Sequence, residues 1–532
     1  MLQLDFVTDR AIWGRMDVML KHLSRLPESK KGLLFVLCLS LILKVSLALS
    51  MKVINPDGDD YIMAAQQFAS GQFEEGLVLC PIPFYPLLIT LVHFFVPHWV
   101  AAARLISIAS LVLVLIPLYL LATDLFNRRA AFWGCLAFAL APLSNECAME
   151  VIRDPSFLFL FAWAVYFANK ALRSPRLIFF FWAASFSWLA ILFRIEGIIL
   201  VPFYLIFLAC LALWKREERG PFLKGILVWT AFPLLPFLVL FVVLGSEVTT
   251  VMSNLTHGLQ SLLDFKFLDN YHKIYDQLKA LEASSPFPSG KQNLAEIARH
   301  FMPLIYLLGL IKGFVKGLFP LFVIPLFWGF RHSLNRNRLF VLALTISYLL
   351  VVYCRLIERD FIQGRFMFAP AFLLYPWIGA GMDRILTLLK RSSKAGLLAT
   401  AFVVLLVLPP VYKCAQMIWK QDNVIATAGE WLAGKAEFRK ARIISNDSRI
   451  PFYAGRQKDY QMYQERHHGH DYKPMEQVAL SNRTDLIIIR TSVRKRDSLP
   501  DFRHFKKVKE FVGRKNIAVI YGSPSFRKTL LN

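Results

Sequence analysis

A series of separate apolar runs constrains the fold of this chain more than any other feature. Each run holds roughly 20 residues, and a helix of that length crosses the hydrocarbon core of a bilayer. Hydrophobic residues fill 56% of the 532 positions. The sequence therefore predicts an all-α polytopic membrane protein with about eleven transmembrane helices. The predicted spans are residues 32–51, 99–123, 130–149, 155–172, 177–193, 197–214, 225–245, 314–330, 339–354, 367–386 and 395–412.

Basic residues predict which ends of these spans face the cytoplasm. The segment 1–31 is rich in lysine and arginine, and the span after it is longer than a signal-peptide core and lacks a small-residue cleavage site. We expect segment 1–31 in the cytoplasm, with the first span as an uncleaved anchor. The connections expected in the cytoplasm are basic, whereas the loop 52–98 carries five acids and one lysine. The loops 52–98 and 246–313 are therefore expected outside, on the non-cytoplasmic face of the membrane.

The sequence changes character after the membrane region 32–412. Residues 413–532 hold 24 Lys and Arg against 12 Asp and Glu. Strand patterns at 441–445, 486–489 and 517–521 follow a helical pattern around Trp431. We therefore predict a small soluble α/β domain, and an odd number of spans places it outside, on the non-cytoplasmic side.

The formal net charge of +24 raises the question of whether the protein binds nucleic acid or a lipid bilayer. Such a charge in a soluble protein would suggest nucleic acid, but no nucleic-acid-binding motif accompanies it here. Much of the charge instead follows the expected sidedness of a membrane protein. We therefore expect the lipid bilayer as a partner and no nucleic acid.

An acidic cluster, Asn55-Pro56-Asp57-Gly58-Asp59-Asp60-Tyr61, follows the first span almost immediately. The residues after it have a helical pattern that ends at Ser70-Gly71, so the acids would stand at a helix N-terminus. Helix capping explains one such acid, or two. Three carboxylates in four residues exceed what capping needs, which favours a functional role for this cluster.

A second set of charged residues falls at the outer ends of later spans. Asp154 lies in Arg153-Asp154-Pro155 between the third and fourth spans, where capping of the next helix is the simpler interpretation. Arg194, Arg359 and Arg365 are expected on the same face. Interfacial arginines often reach only for lipid headgroups, but the guanidinium group also binds phosphate well.

Acids and arginines on one face of such a bundle suit glycosyl transfer from a lipid phosphate. A carboxylate would take the proton from an acceptor hydroxyl, and arginines would stabilise the charge on the departing phosphate. The residues alone leave Asp57, Asp59 and Asp60 open as that base. Arg194, Arg365 and Arg359 are candidates for binding the donor phosphate.

The order of several short motifs resembles the GT-C superfamily of polyprenyl-phosphate-sugar glycosyltransferases, in the branch of bacterial protein O-mannosyltransferases and aminoarabinose transferases. The motifs are Pro56-Asp57 through Ser70-Gly71, Arg104-Leu105-Ile106-Ser107, Phe126-Asn127-Arg128-Arg129-Ala130, Arg153-Asp154-Pro155 and Gly364-Arg365-Phe366-Met367-Phe368-Ala369-Pro370. The resemblance covers about residues 30–390.

The resemblance implies an inverting transfer from a polyprenyl-phosphate-linked sugar to a cell-envelope lipid, glycan or protein on the periplasmic side of a bacterial inner membrane, with the C-terminal domain in the periplasm. It maps the family's first-loop catalytic acid onto Asp57, with Asp59 and Asp60 as near alternatives. Its second-loop acid maps onto Asp154, which would position acceptor or donor. Two departures concern the donor site. Gly58 stands where relatives often have glutamate, and Leu79-Cys80-Pro81-Ile82-Pro83 lacks the charged residue that many relatives carry there.

Two other functions remain open from the sequence. Asp57-Gly58-Asp59 is a D-x-D pattern, which would suit a metal-dependent oligosaccharyltransferase or ligase. A transporter of lipid or sugar would use similar residues, but it predicts charges deep inside spans or paired broken helices, and neither is clear here. The relatives imply no cofactor and no bound metal, with a divalent cation as the less favoured case. The run His467-His468-Gly469-His470 could chelate zinc, but histidines in a loop are more often solvated.

Overall fold

The computed structural model describes residues 28–214, 216–231, 253, 256, 260, 264, 267–284, 294–361, 363–389, 395–456, 460–463 and 472–524. The predicted segment 1–31, the span 225–245 and the loop 246–313 therefore lie partly outside the described residues. The histidine run 467–470 lies entirely outside them.

The first half of the bundle is a chain of helices joined by short turns. They are α1 (Glu28–Ser50), α2 (Gly58–Ala69), α3 (Phe73–Leu79), α4 (Phe84–His93), α5 (Trp99–Leu113), α6 (Leu115–Leu125), α7 (Arg128–Leu140), α8 (Pro142–Met149), α9 (Asp154–Arg173), α10 (Leu177–Phe193), α11 (Leu200–Trp214) and α12 (Arg219–Ala231). The short helices α2, α3 and α4 form the first outer loop. Helix α2 ends where glycine was predicted to end it, since Gly71 has a φ of +79°.

The second half of the bundle contains α13 (Phe267–Ala283), α14 (Leu294–His300), α15 (Met302–Leu318), α16 (Val323–Gly329), α17 (Arg336–Arg359), α18 (Phe368–Phe372), α19 (Tyr375–Leu389) and α20 (Ala395–Trp419). Two short 3₁₀ segments, Ile195–Ile199 and Gly364–Met367, precede α11 and α18. Together these elements enclose one large apolar core.

Six stretches in the described residues are long and apolar enough to cross a membrane. They are Lys30–Ser50, Trp99–Leu125, Asp154–Arg173, Ile195–Trp214, Arg336–Arg359 and Gly396–Ala433. The pair α14 and α15, bent by 73°, makes a seventh if it counts as one span. This confirms a polytopic α-helical membrane protein, while several of the eleven predicted spans appear as shorter or broken helices.

The broken spans have local causes. The predicted span 130–149 divides at Ala141, where Pro142 opens a new helix. The predicted span 314–330 divides at Phe319, whose φ of +78° ends α15 before Pro320. Helix α15 also begins at Met302, so the stretch 301–311, which hydropathy alone would place along the interface, belongs to a 17-residue helix. Hydropathy locates apolar sequence but not a proline break within it.

Glycines allow the late helix α19 to pack very closely between α7 and α16. A Cβ atom on Gly379 would lie 1.9 Å from the carbonyl oxygen of Ala130, and one on Gly381 would lie 1.7 Å from that of Pro325. Only glycine permits these backbones to approach so closely, as is common between membrane helices.

The tail is a small α/β domain, as the sequence predicts. Its helices are α21 (Val424–Ala433), α22 (Arg449–Tyr453) and α23 (Lys473–Ser481). Its strands are β1 (Ile443–Ser445), β2 (Tyr460–Met462), β3 (Leu486–Ser492), β4 (Lys506–Val512) and β5 (Asn516–Gly522), in the order β2-β1-β3-β5-β4. Strands β2, β1 and β3 are parallel, and β5 runs antiparallel to β3 and β4. Alternate residues of β1 and β3 enter apolar clusters on opposite faces of the sheet.

Candidate active site

The charged residues of interest lie at one end of the bundle. Asp154 begins α9, a helix of 20 residues, which corresponds to about 30 Å. At the other end of α9, Arg336 donates to the carbonyl oxygen of Leu172 and pairs with Glu218 at 2.7 Å. Asp154 and Arg336 therefore lie at opposite ends of a helix that is as long as the bundle is thick.

Asp57 does not cap the helix that it precedes. It occupies the N-cap position of α2, but its side chain makes no capping hydrogen bond. Its Oδ2 atom instead lies 2.6 Å from Nη1 of Arg365. The capping interpretation therefore does not account for Asp57, and the structure joins two of the residues that the sequence singled out.

Arg365 stands in the 3₁₀ segment Gly364–Met367, in the connection between α17 and α18. Its side chain is 23% exposed, and that of Asp57 is 46% exposed. The pair is thus partly desolvated yet still reachable from one side. Such a position strengthens the attraction of Arg365 for an anion without closing the pair to a substrate.

The accessible side of this pair opens into a cavity of about 680 Å³. Its wall is formed by the segment 55–57, helix α8, the end of α15, the segment 363–365 and helix α20. Four further charged residues line it: Glu146, Glu150, Lys316 and Lys413. A volume of this size accommodates a sugar and a phosphate group.

Sequence analysis missed these four residues. Lys316 lies within an apolar run, and Lys413 follows the last predicted span, so both have the pattern of lysines that reach for headgroups. Glu150 lies just before Arg153 and Asp154 in the sequence, but no motif singled it out. A search for charges at the outer ends of spans would have found Glu150 and Lys413.

The surroundings of Glu150 alter its proton affinity. Burial, together with the negative charge of Glu146, raises the pKa of Glu150 to about 8, although Arg365 acts in the opposite direction. Glu150 is therefore mostly protonated near neutral pH and can donate a hydrogen bond into the cavity.

Asp154 and Arg194 form a second acid–arginine pair of a different kind. Arg194 is paired with Asp154, and its Nη2 atom lies 3.1 Å from Oε1 of Glu196. The side chains of Arg194 and Asp154 are only 7% and 5% exposed. The guanidinium group also lies over the ring of Phe366, the residue after Arg365, at 5.2 Å. Two carboxylates therefore already bind the Arg194 guanidinium group, which contacts the cavity wall through Phe366.

The remaining predicted residues are placed apart from the cavity. Asp59 is buried beside Ser448 of the tail, and this burial raises its pKa to about 6. Asp60 is exposed one residue later, and Arg359 is exposed at the end of α17. None of the three lines the cavity, so the geometry favours Asp57 among the acids and Arg365 among the arginines.

No cluster of three or more His, Cys, Asp or Glu side chains suited to a metal ion occurs within the described part of the chain. In the D-x-D pattern, Asp57 faces the cavity and Asp59 faces the tail. The two carboxylates are therefore not presented together to a common ligand.

Comparison with known proteins gives a match to one family over part of the chain and a likeness in fold. The family of dolichyl-phosphate-mannose-protein mannosyltransferases matches residues 81–240, less than a third of the chain. The structure is similar to the oligosaccharyltransferase of Archaeoglobus fulgidus in complex with zinc and sulfate, with a TM-score of 0.53 and 12% identity over 86% of this chain and 68% of that one. No curated protein sequence matches.

The chain has the GT-C fold. An oligosaccharyltransferase structure from the same organism, AglB in complex with an inhibitory peptide and a dolichol-phosphate, gives a TM-score of 0.50 at 11% identity, covering 88% of this chain and 70% of that one. ArnT from Cupriavidus metallidurans in the apo state gives 0.49 at 14% identity, covering 93% of this chain and 98% of that one. The chain therefore shares the fold of the Archaeoglobus oligosaccharyltransferase structures, with the Asp57–Arg365 pair and its cavity at one end of the helices.

Proposed function

We propose that this protein transfers a sugar from a polyprenyl-phosphate donor to a cell-envelope lipid, glycan or protein, with inversion at the anomeric carbon. The observation that carries the proposal is the contact between Asp57 and Arg365 on the wall of the cavity. A carboxylate beside a cation, open on one side to a volume of about 680 Å³, suits proton removal next to a phosphate.

The proposed reaction is a single displacement. Asp57 takes the proton of the acceptor hydroxyl as its oxygen attacks the anomeric carbon, and the bond from that carbon to the phosphate oxygen breaks. The polyprenyl phosphate leaves with the bonding electron pair. Arg365, Lys316 and Lys413 provide the positive charge that stabilises it.

The ion pair also explains how the Asp57 carboxylate is held in position before the substrates bind. Without donor, Arg365 neutralises and orients the Asp57 carboxylate. A bound phosphate competes for the same guanidinium group, which leaves one Asp57 oxygen available for the acceptor proton. Glu150, which holds its proton near neutral pH, can donate a hydrogen bond to either substrate.

The sidedness and location are part of the proposal. The basic ends of the spans support a cytoplasmic position for the end of the bundle opposite the cavity, in a bacterial inner membrane. The cavity and the tail then face the periplasm. The AglB complex with dolichol-phosphate supports a lipid phosphate as the carrier.

A direct test is transfer of labelled sugar from polyprenyl lipid to endogenous membrane acceptors by the purified protein. We expect Asp57→Asn to lower transfer by about 10²- to 10⁴-fold, because an amide cannot accept the proton. Glu74→Gln changes an exposed acid of the same outer loop and serves as the matched control. Full transfer by Asp57→Asn would refute the assignment of the base.

Addition of EDTA separates this proposal from a metal-dependent oligosaccharyltransferase. We expect transfer to continue in EDTA, because Asp57 and Asp59 face different neighbours. Loss of transfer that Mg²⁺ or Mn²⁺ restores would favour the metal-dependent enzyme. Accumulation of lipid or sugar across the membrane without transfer would favour a transporter.

A further inference from the structure

Side chains of the tail hold the backbone just ahead of Asp57. The hydroxyl group of Tyr453, at the end of α22, accepts a hydrogen bond from the backbone nitrogen of Ile54 at 2.9 Å. The same hydroxyl donates to the carbonyl oxygen of Lys52, also at 2.9 Å. One side chain thus satisfies two backbone groups of the segment 52–55, which belongs to no helix or strand, and fixes its path.

A second tail residue binds the same segment. Nη1 of Arg449 donates to the carbonyl oxygen of Ile54 at 3.3 Å. The guanidinium group is held on its other edge by Asp447, with contacts of 2.9 and 2.6 Å. Arg449 and Asp447 are both buried, so this donor is oriented before it meets the loop.

The held segment is linked to the site by a short series of hydrogen bonds. The carbonyl oxygen of Asn55 accepts from the nitrogen of Gly58 at 3.0 Å, which closes a turn around Asp57. The Asn55 side chain accepts from the nitrogen of Val151 at 2.7 Å, next to Glu150. A displacement of Ile54 would therefore move Asp57 relative to Arg365 and the cavity.

Packing gives this link little freedom. A Cβ atom on Gly58 would lie 3.0 Å from the Asn55 side chain and from Val151. The rings of Phe452 and Tyr453 also pack against the apolar cluster that contains Ile54 and Val151. The tail and the first outer loop therefore share one packed interface.

We propose that Tyr453 and Arg449 are positioning residues, which act through the segment 52–55 to place Asp57 against Arg365. This inference rests on the proposed function of Asp57 as the base. The tail then forms part of the frame of the active site, and its contacts affect the rate of the chemical step more than the binding of the donor.

The test uses Tyr453→Phe in the full-length protein. This change removes both hydrogen bonds and keeps the packed ring. We expect kcat to fall by about 10- to 100-fold, because small misplacements of a catalytic group have effects of this size. The KM for the polyprenyl-phosphate sugar should stay close to that of the wild type, since the donor contacts are unchanged.

Hydrogen–deuterium exchange provides a readout that does not depend on activity. The backbone amide of Ile54 should exchange faster in Tyr453→Phe, because it loses its acceptor. Tyr521→Phe is the matched control, since its hydroxyl donates within the tail to the carbonyl oxygen of Pro500. This control should change neither the exchange at Ile54 nor kcat.

Each result has a distinct meaning. Faster exchange at Ile54 with a lowered kcat supports the positioning role. Faster exchange with unchanged kcat overturns that role, and unchanged exchange overturns the contact itself. If the wild type transfers no sugar, the proposed function fails and the positioning role with it, while the exchange data still report whether the tail holds the loop.

Discussion

Two acid–arginine pairs lie at the same end of the bundle and differ in their surroundings. Asp57 and Arg365 meet at the wall of a cavity, with the acid almost half exposed. Asp154 and Arg194 are buried, and Glu196 supplies a second carboxylate. The open pair can exchange partners with a substrate, whereas the closed one cannot without leaving a buried charge unpaired. Under the proposed function, the same residue types have a catalytic use in the open pair and a structural use in the closed pair.

The largest expected effect belongs to the open pair. Asp57→Asn should lower kcat by about 10²- to 10⁴-fold, which is the rate factor that a general base supplies. Thermal stability should change little, because the side chain is partly exposed and makes no helix cap. Steady-state transfer assays and thermal unfolding of the same preparation check both parts. A large loss of stability would make Asp57 resemble the closed pair and would remove the contrast.

The closed pair should show the reverse behaviour. Arg194→Gln leaves Asp154 and Glu196 without their buried cation, and we expect a loss of about 3–5 kcal/mol of stability. The measurement is the unfolding midpoint and the monodisperse yield in detergent. Arg365→Gln is the matched variant at the open pair and should retain yield while losing transfer. Equal losses of yield in the two variants would contradict the expectation that only the closed pair stabilises the fold.

Asp59 extends the comparison to a third acid, which is buried against the tail. Its pKa is about 6 in the fold against an ordinary value of 3.8, so the folded state favours the protonated form. Stability is therefore greatest below about pH 4, falls as the pH rises to about 6, and stays lower above it. A shift of about two pKa units corresponds to about 3 kcal/mol at most.

The variant Asp59→Asn removes this titration. It should raise the unfolding midpoint at pH 7.5 and have little effect near pH 4. The charged and titratable groups close to Asp59 are Asp60, Asp447, Arg449 and Tyr460, and all of them are retained in the variant. Unfolding curves of both proteins across this pH range test the expectation, and an equal shift at every pH would contradict it.

The smallest effect is expected at Arg359. This residue is exposed at the end of α17 and does not line the cavity. Arg359→Gln should therefore change stability by no more than about 0.5 kcal/mol and leave transfer unaffected. A transfer assay beside Arg365→Gln makes the comparison direct. Loss of transfer in Arg359→Gln would extend the phosphate site beyond the cavity.

The sequence predicted the fold class because each long apolar run has one stable solution in a bilayer. It did not predict where those runs break, since Pro142 and Phe319 divide helices through local backbone geometry. In the tail, β3 and β5 were visible as apolar segments. Strand β4 was missed because its sequence, Lys506-Lys507-Val508-Lys509-Glu510-Phe511-Val512, is mostly that of an exposed edge.

The candidate site was predicted in part for a similar reason. Asp57 and Arg365 stand in motifs, and the resemblance joined them although 308 residues separate them along the chain. Lys316 and Lys413 have no motif, and their place in the cavity depends on how α15 and α20 pack. The difference between the open and closed pairs depends on burial, which the spacing of Asp154 and Arg194 does not reveal.

The contact between Tyr453 and Ile54 also has a consequence for the timing of biosynthesis. The two residues are 399 positions apart, so the outer loop is made long before the residue that holds it. At roughly 5–20 residues per second, the ribosome needs about 20 to 80 s to cover that distance. During this interval the nascent chain contains Asp57 but lacks Tyr453, which holds the segment before it. Under the proposed function, the protein would therefore reach full activity only once synthesis is nearly complete, and chains that end before Tyr453 would be less active.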